Sequence, residues 1–173
     1  AVSLTPSVDL TCAGVTSGTT LSATQSATTP TPTCGSTGIN DDVWYSFMAT
    51  QTSHIVTLSN VSGSTDMAFT VYSSSNNSCG GTFTQVVCSD PNSTTLTGLT
   101  IGNTYFVRVY TFTSTVSTTA SFDICITTPP PPPVNDNCAG ATTLTVNADA
   151  NCAVTTSGTT VSATQSTGTA PTC

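Results

Sequence analysis

The sequence has no lysine, no glutamate and a single arginine, Arg108, against eight aspartates, which gives a net charge of −7. With one cation to neutralise phosphates, binding to nucleic acid or to an anionic membrane surface is excluded as a function. Only 5% of residues are charged, so serine and threonine, with a hydroxyl rather than a charge, have to hydrate the surface. There is one histidine, His54, and no Cys-x-x-Cys pair. A Ser-His-Asp or Cys-His set cannot be assembled around it, and no zinc spacing is present. No apolar run approaches the roughly 18 residues of a membrane span, so membrane insertion is not expected. No segment carries a helical stripe of useful length. Together these absences point away from catalysis and towards a threonine-rich, all-β, extracellular protein.

Eight cysteines are present: Cys12, Cys34, Cys79, Cys88, Cys125, Cys138, Cys152 and Cys173. An even number at wide spacing reads as a disulfide framework formed in an oxidising compartment. The expected pairs are Cys12 with Cys34 and, by symmetry, Cys152 with Cys173. Cys79 and Cys88 flank a Gly-Gly turn and are expected to staple a loop to its strand. Cys125 and Cys138 either pair across the proline run or each reach a neighbouring unit.

The symmetry comes from an internal repeat. Residues 12–34 and 152–173 align with one gap at Thr31 and are identical at 16 of 22 positions, at an offset of 140. Ala1, Leu4 and Thr5 extend the match to Ala141, Leu144 and Thr145. Solenoid units run to roughly 50 residues, so this period is that of a whole domain. The expected organisation is a β-sandwich unit over 1–127, a proline-rich linker over 128–133, and the N-terminal strands of a second copy over 134–173. Five consecutive prolines, 129–133, favour an extended left-handed helix at about 3.1 Å per residue, a stiff spacer of roughly 15 Å.

Within the unit, short alternating runs are separated by Gly, Ser, Asn and Pro clusters. Strands are expected at 19–26, 42–49, 54–60, 66–73, 84–89, 94–99, 104–113 and 120–127. The run around Arg108 is otherwise apolar on both faces and reads as a central strand. The fold class expected is an antiparallel, jelly-roll-like β-sandwich of about eight or nine strands, stapled by disulfides.

Several motifs, taken in order, resemble a known domain type: Val134-Asn135-Asp136-Asn137-Cys138 after the proline run, Asp42-Val43-Trp44-Tyr45-Ser46-Phe47, the strands around 66–72 and 99–110, and Phe122-Asp123-Ile124-Cys125. They resemble repeats of very large secreted surface proteins of Bacteroidota-type bacteria, which are similar to the bacterial pre-peptidase C-terminal β-sandwich. The resemblance implies a secreted or cell-surface, adhesin-like, noncatalytic module, and it supplies no ligand.

Candidate sites follow from the remaining polar groups. Asn40, Asp41, Asp42, Asp66 and Asp90 fall at expected strand ends or loops and are oxygen donors of the type calcium takes, so calcium is the one cofactor considered. Asn60, Asn76 and Asn92 each begin an N-x-S/T sequon and are expected in loops, where they are candidate glycosylation sites. Arg108, if half-buried, needs a carboxylate partner, with Asp123 or Asp66 as candidates. His54 is expected to be structural. The leading functional expectation is a noncatalytic repeat unit of an extracellular filament or stalk, with other copies of itself as partners and units joined head to tail, including by strand complementation. The alternatives are an adhesin-type module recognising surface carbohydrate or protein, for which Trp44, Tyr72 or Tyr110 would form an exposed platform, and a noncatalytic appendage of a secreted hydrolase.

Overall fold

The computed structural model describes residues 1–27, 29–34, 41–64, 66–112 and 119–165. The chain divides into two compact units, Ala1–Pro129 and Pro130–Cys173.

The first unit is a two-sheet sandwich of nine strands: β1 (Val2–Leu4), β2 (Thr16–Thr19), β3 (Val43–Met48), β4 (His54–Gly63), β5 (Met67–Ser74), β6 (Phe83–Ser89), β7 (Ser93–Leu96), β8 (Thr104–Thr111) and β9 (Ala120–Thr127). One sheet has the order β1-β3-β8-β5-β6 and the other β2-β9-β4-β7. Every pairing is antiparallel except β1 with β3, which is parallel. That exception departs from the purely antiparallel expectation. It arises because β1 enters at the edge of one sheet, after which the chain crosses to the other sheet to form β2.

Alternation along each strand builds the core. Tyr45 and Phe47 from β3, Phe69 and Val71 from β5, and Val107 and Val109 from β8 meet Val56, Leu58, Phe122, Ile124 and Ile126 from the opposite sheet. β8 lies between β3 and β5 at the centre of its sheet. β5 and β8 are buried on both faces, because the outer face of the five-stranded sheet is itself covered. Residues 20–27 and 29–34 cross it: Trp44 Nε1 donates to Ser26 Oγ, Tyr72 Oη to the Pro30 carbonyl and Tyr110 Oη to the Cys34 carbonyl. This is where the expectation of a strand at 19–26 fails. The strand comes earlier, at Thr16–Thr19, and the chain then turns through Ser22 at φ 63°. β1 was not anticipated, since three residues are too few to display a period.

The disulfides are Cys12–Cys125 and Cys34–Cys88. The expected Cys12–Cys34 and Cys79–Cys88 pairs do not form, and neither does a Cys125–Cys138 pair. Cys12 leads into β2, beside β9 of the four-stranded sheet, whereas Cys34 ends the covering segment on the five-stranded sheet, next to β6. Cys79 sits at the exposed tip between β5 and β6, away from Cys88, which is level with Thr70. Cys79, Cys138 and Cys152 have no disulfide partner among the described residues. Cys173, and with it the expected Cys152–Cys173 pair, lies outside them.

The second unit has one short 3-10 turn, Cys138–Gly140, and no strand among the described residues. Leu144 is 67% exposed and Val146 92%. Local hydrogen bonds organise it: Asn151 N donates to Asp149 Oδ1, Ala153 N to the Asn151 carbonyl, and Val161 N to Thr159 Oγ1. The same three bonds occur 140 residues earlier, at Thr11–Asp9, Ala13–Thr11 and Leu21–Thr19. Ser162, at φ 59°, repeats the left-handed turn of Ser22.

Candidate functional site: the Arg108 cavity

Cross-strand register places the polar groups on the outer face of the five-stranded sheet. Trp44 lies opposite Arg108, and Arg108 opposite Thr70. Asp42, two residues before Trp44, shares that face. The carboxylate that meets Arg108 is therefore Asp42, with Arg108 Nε donating to Asp42 Oδ2 at 3.1 Å in a pair that is almost wholly buried. Neither expected partner takes this role. Asp123 stands on the outside of the other sheet, accepting from Ser17 Oγ and Asn60 Nδ2, and those bonds hold its carboxyl below the usual carboxylate range. Asp66 is exposed at the start of β5.

Asp42 is fully engaged. Its Oδ2 also accepts from Trp44 Nε1 at 2.6 Å, and its Oδ1 accepts from Ser26 N. The guanidinium lies 5.7 Å from the Trp44 ring and 5.8 Å from that of Tyr110, within cation–π range. Trp44, Tyr72, Phe83 and Phe106 pack as one aromatic group beside it. Burial pushes the Tyr72 and Tyr110 hydroxyls up in pKa, with neighbouring hydrogen bonds opposing the shift. Tyr72 and Tyr110 are buried and Trp44 is half-buried, so these residues do not form the exposed platform considered above. What opens beside Arg108 is a cavity of about 340 Å³ lined by Gln25, Ser26, Ala27, Thr29, Thr31 and Pro32.

The remaining candidates are dispersed. Asp41 faces the opposite way from Asp42: its Oδ1 accepts from Thr111 N and Oγ1, and its buried Oδ2 has no partner among the described residues. Asp66 and Asp90 are exposed and Asn40 lies outside the described residues. Among the described residues no group of three or more His, Cys, Asp or Glu side chains is gathered as a metal site. Asn76 is exposed in the β5–β6 turn and Asn92 is half-buried ahead of β7, whereas Asn60 lies inside β4 at a bulge rather than in a loop. His54 is buried: its Nε2 accepts from Thr50 N and Gln51 N, and its Nδ1 contacts Thr128 Oγ1.

Sequence reasoning missed the cavity because its walls are ordinary turn residues. The available signal was the alternation linking Asp42 to Trp44, one strand away from Arg108.

The two-sheet sandwich, with a covered polar cavity on one outer face, belongs to the class of galactose-binding-like β-sandwiches. Residues 7–124 match a family described as galactose binding domain-like and associated with type IX secretion. The chain belongs to that family, which places it outside the cell or at the cell surface. No curated protein matches the chain. Among solved structures, it is similar to Aeromonas hydrophila PliG, a periplasmic inhibitor of g-type lysozyme, with 14% identity, a TM-score of 0.39, and coverage of 72% of this chain and 99% of that one. It is also similar to the pre-peptidase C-terminal domain of a Bacillus anthracis collagenase, with 8% identity, a TM-score of 0.39, and coverage of 72% and 93%.

Proposed function

We propose that this chain is an adhesin-type binding module of a secreted surface protein, recognising carbohydrate. The observation that carries this reading is the Arg108 cavity. It combines a buried cation held by a single carboxylate contact with walls of hydroxyl and amide side chains, on a fold whose family is galactose-binding-like. Burial of the aromatic residues means that recognition relies on hydrogen bonding rather than on stacking. A glycan array probed with the intact, disulfide-bonded chain tests it: reproducible binding to a defined set of saccharides is expected, and a blank array would overturn the reading.

A second reading, a structural repeat of a filament or stalk, is favoured by the recurrence of the same turns at an offset of 140 on either side of five prolines. In it, 1–127 is one unit, 128–133 a stiff linker and 134–173 the start of another copy, and the strand-patterned segment of that copy completes the sheet of a second molecule. Sedimentation of the chain over a range of concentrations separates the two. Fibres or concentration-dependent growth support the filament, and a monomer at all concentrations counts against it.

A further inference from the structure

Residues 21–27 and 29–34 lie over the outer face of the five-stranded sheet as a lid. Of them Pro32 alone is buried, yet beneath them Thr70, Tyr72 and Tyr110 are 0% exposed and Arg108 2%. The lid thus shields much while burying little of its own apolar surface, the main source of stability for a docked segment. One end is built into the fold: Thr20 N donates to the Ala120 carbonyl, and Ala120 N to Thr20 Oγ1. The middle rests on hydrogen bonds, from Ser26 N to Asp42, from Tyr72 Oη to the Pro30 carbonyl, and between Thr33 and Gln85. Water replaces such bonds when a segment lifts, so each contributes little net against the entropy of ordering the chain. The other end is covalent, the Cys34–Cys88 disulfide.

The two sulfurs of that bond are not equivalent. Cys34 N donates to Cys88 Sγ at 3.0 Å, and Thr70 Oγ1 stands 3.1 Å from the same sulfur. Tyr110 Oη, 3.8 Å from Cys34 Sγ, has its proton on the Cys34 carbonyl, so Cys34 Sγ receives no donor among the described residues. Negative charge appearing on Cys88 would be stabilised by the Cys34 and Thr70 donors. In thiol–disulfide exchange the sulfur better able to carry charge leaves faster, and the other is attacked. Both cysteines are half-buried, within reach of a small thiolate. Neither sulfur of Cys12–Cys125 receives a donor among the described residues.

We infer that Cys34–Cys88 is a redox-active latch, opened by a dithiol, that holds the lid closed. A thiolate of the dithiol attacks Cys34 Sγ, forming a mixed disulfide and expelling Cys88 as a thiolate. The second thiolate of the dithiol then attacks its partner sulfur in the mixed disulfide and releases Cys34. The dithiol is oxidised by two electrons to a disulfide, and Cys34 and Cys88 take up its two protons as thiols. The lid then swings on Thr20 and bares Trp44, Tyr72 and Tyr110 around the Arg108–Asp42 pair. Gln25, Ser26 and Pro32 are walls of the cavity, so opening dismantles it. The inference does not depend on what the cavity binds.

The test exposes the full chain, its free thiols first blocked with iodoacetamide, to dithiothreitol. Differential alkylation read by mass spectrometry times the two disulfides separately. Trp44, the chain's one tryptophan, is bonded to Ser26 of the lid, and its emission and quenching by acrylamide report the lid. Cys34–Cys88 is expected to open roughly tenfold faster than Cys12–Cys125, in line with a hydrogen bond to a charged sulfur. Trp44 should shift to the red and become more quenchable at the same rate, with the β-sheet circular dichroism unchanged. In Thr70→Val the opening should be roughly tenfold slower. Equal or slower reduction of Cys34–Cys88, or an unchanged rate in Thr70→Val, overturns the polarised latch. Opening that leaves Trp44 shielded overturns the lid. Loss of the β-sheet signal on opening makes the disulfide part of the framework and overturns the switch.

Discussion

Arg108 and His54 are the two basic side chains of the sequence, and the fold buries them in opposite ways. Arg108 is given Asp42 as its partner. Removing that partner strands a buried cation, so Asp42→Ala is expected to destabilise the unit by about 3–5 kcal/mol, read from urea unfolding. His54 is kept neutral. Its Nε2 receives two backbone N–H groups, from Thr50 and Gln51, and a proton there would face both donors. Thr128 Oγ1 donates to the Ser7 carbonyl, so the His54 Nδ1–H is the donor in their contact. Burial lowers the imidazole pKa below its usual 6.5, and a backbone bond to Thr127 opposes the shift only partly. The folded pKa being the lower one, the stabilisation is complete above the unfolded value near 6.5 and is lost as the pH falls through the folded value. A melting temperature that declines below about pH 6.5 is expected, with the decline removed in His54→Gln. Neither partner was legible one residue at a time. His54 gave no hint of a burial set by a loop and the linker side, and the Arg108 partner lay 66 positions away.

At the scale of elements, β2 shows how narrowly a strand is specified. Gly18 lies opposite Phe122, and a Cβ there would collide with the Tyr45 hydroxyl and come within 2.7 Å of the Phe122 ring. Gly158, its counterpart 140 residues on, has nothing within 4 Å. Gly18→Ala is therefore expected to cost about 1–3 kcal/mol by overpacking, and Gly158→Ala to stay within about 0.5 kcal/mol of the parent, both measured by thermal or urea unfolding. β3, β4 and β9, which alternate because half of each faces the core, and β5 and β8, which are apolar runs buried on both faces, all lie within a few residues of their expected bounds. β1 and β2 do not, being short edge strands fixed by the neighbour rather than by their own pattern. The disulfide pairing was illegible for a related reason. Proximity in sequence suggested Cys12–Cys34, but the chain between them passes from one sheet to the other, and each cysteine meets a strand that arrives much later.

For the molecule as a whole, the two units offer an internal comparison. Leu4 is 4% exposed in β1, where it pairs alongside β3, whereas Leu144, its counterpart, is 67% exposed. Hydrogen exchange on the intact chain is expected to show protected amides within 16–19 and fast exchange at 156–159; equal protection at both would contradict the difference. The outer cover over Arg108 is likewise a property of the folded unit, since it needs residues 20–27 and 29–34, β3, β6 and β8 together. The sequence by itself determined the all-β class, the extracellular chemistry and the turns: Asp9 and Asp149 fold their neighbours alike, as do Thr19 and Thr159, and Ser22 and Ser162. These are interactions among residues a few positions apart, so equal sequence gives equal structure. Only the tertiary structure decided whether the stretches between those turns became strands, because a strand's hydrogen bonds are made with another part of the chain, and β3 and β9 supply them to the first copy alone among the described residues.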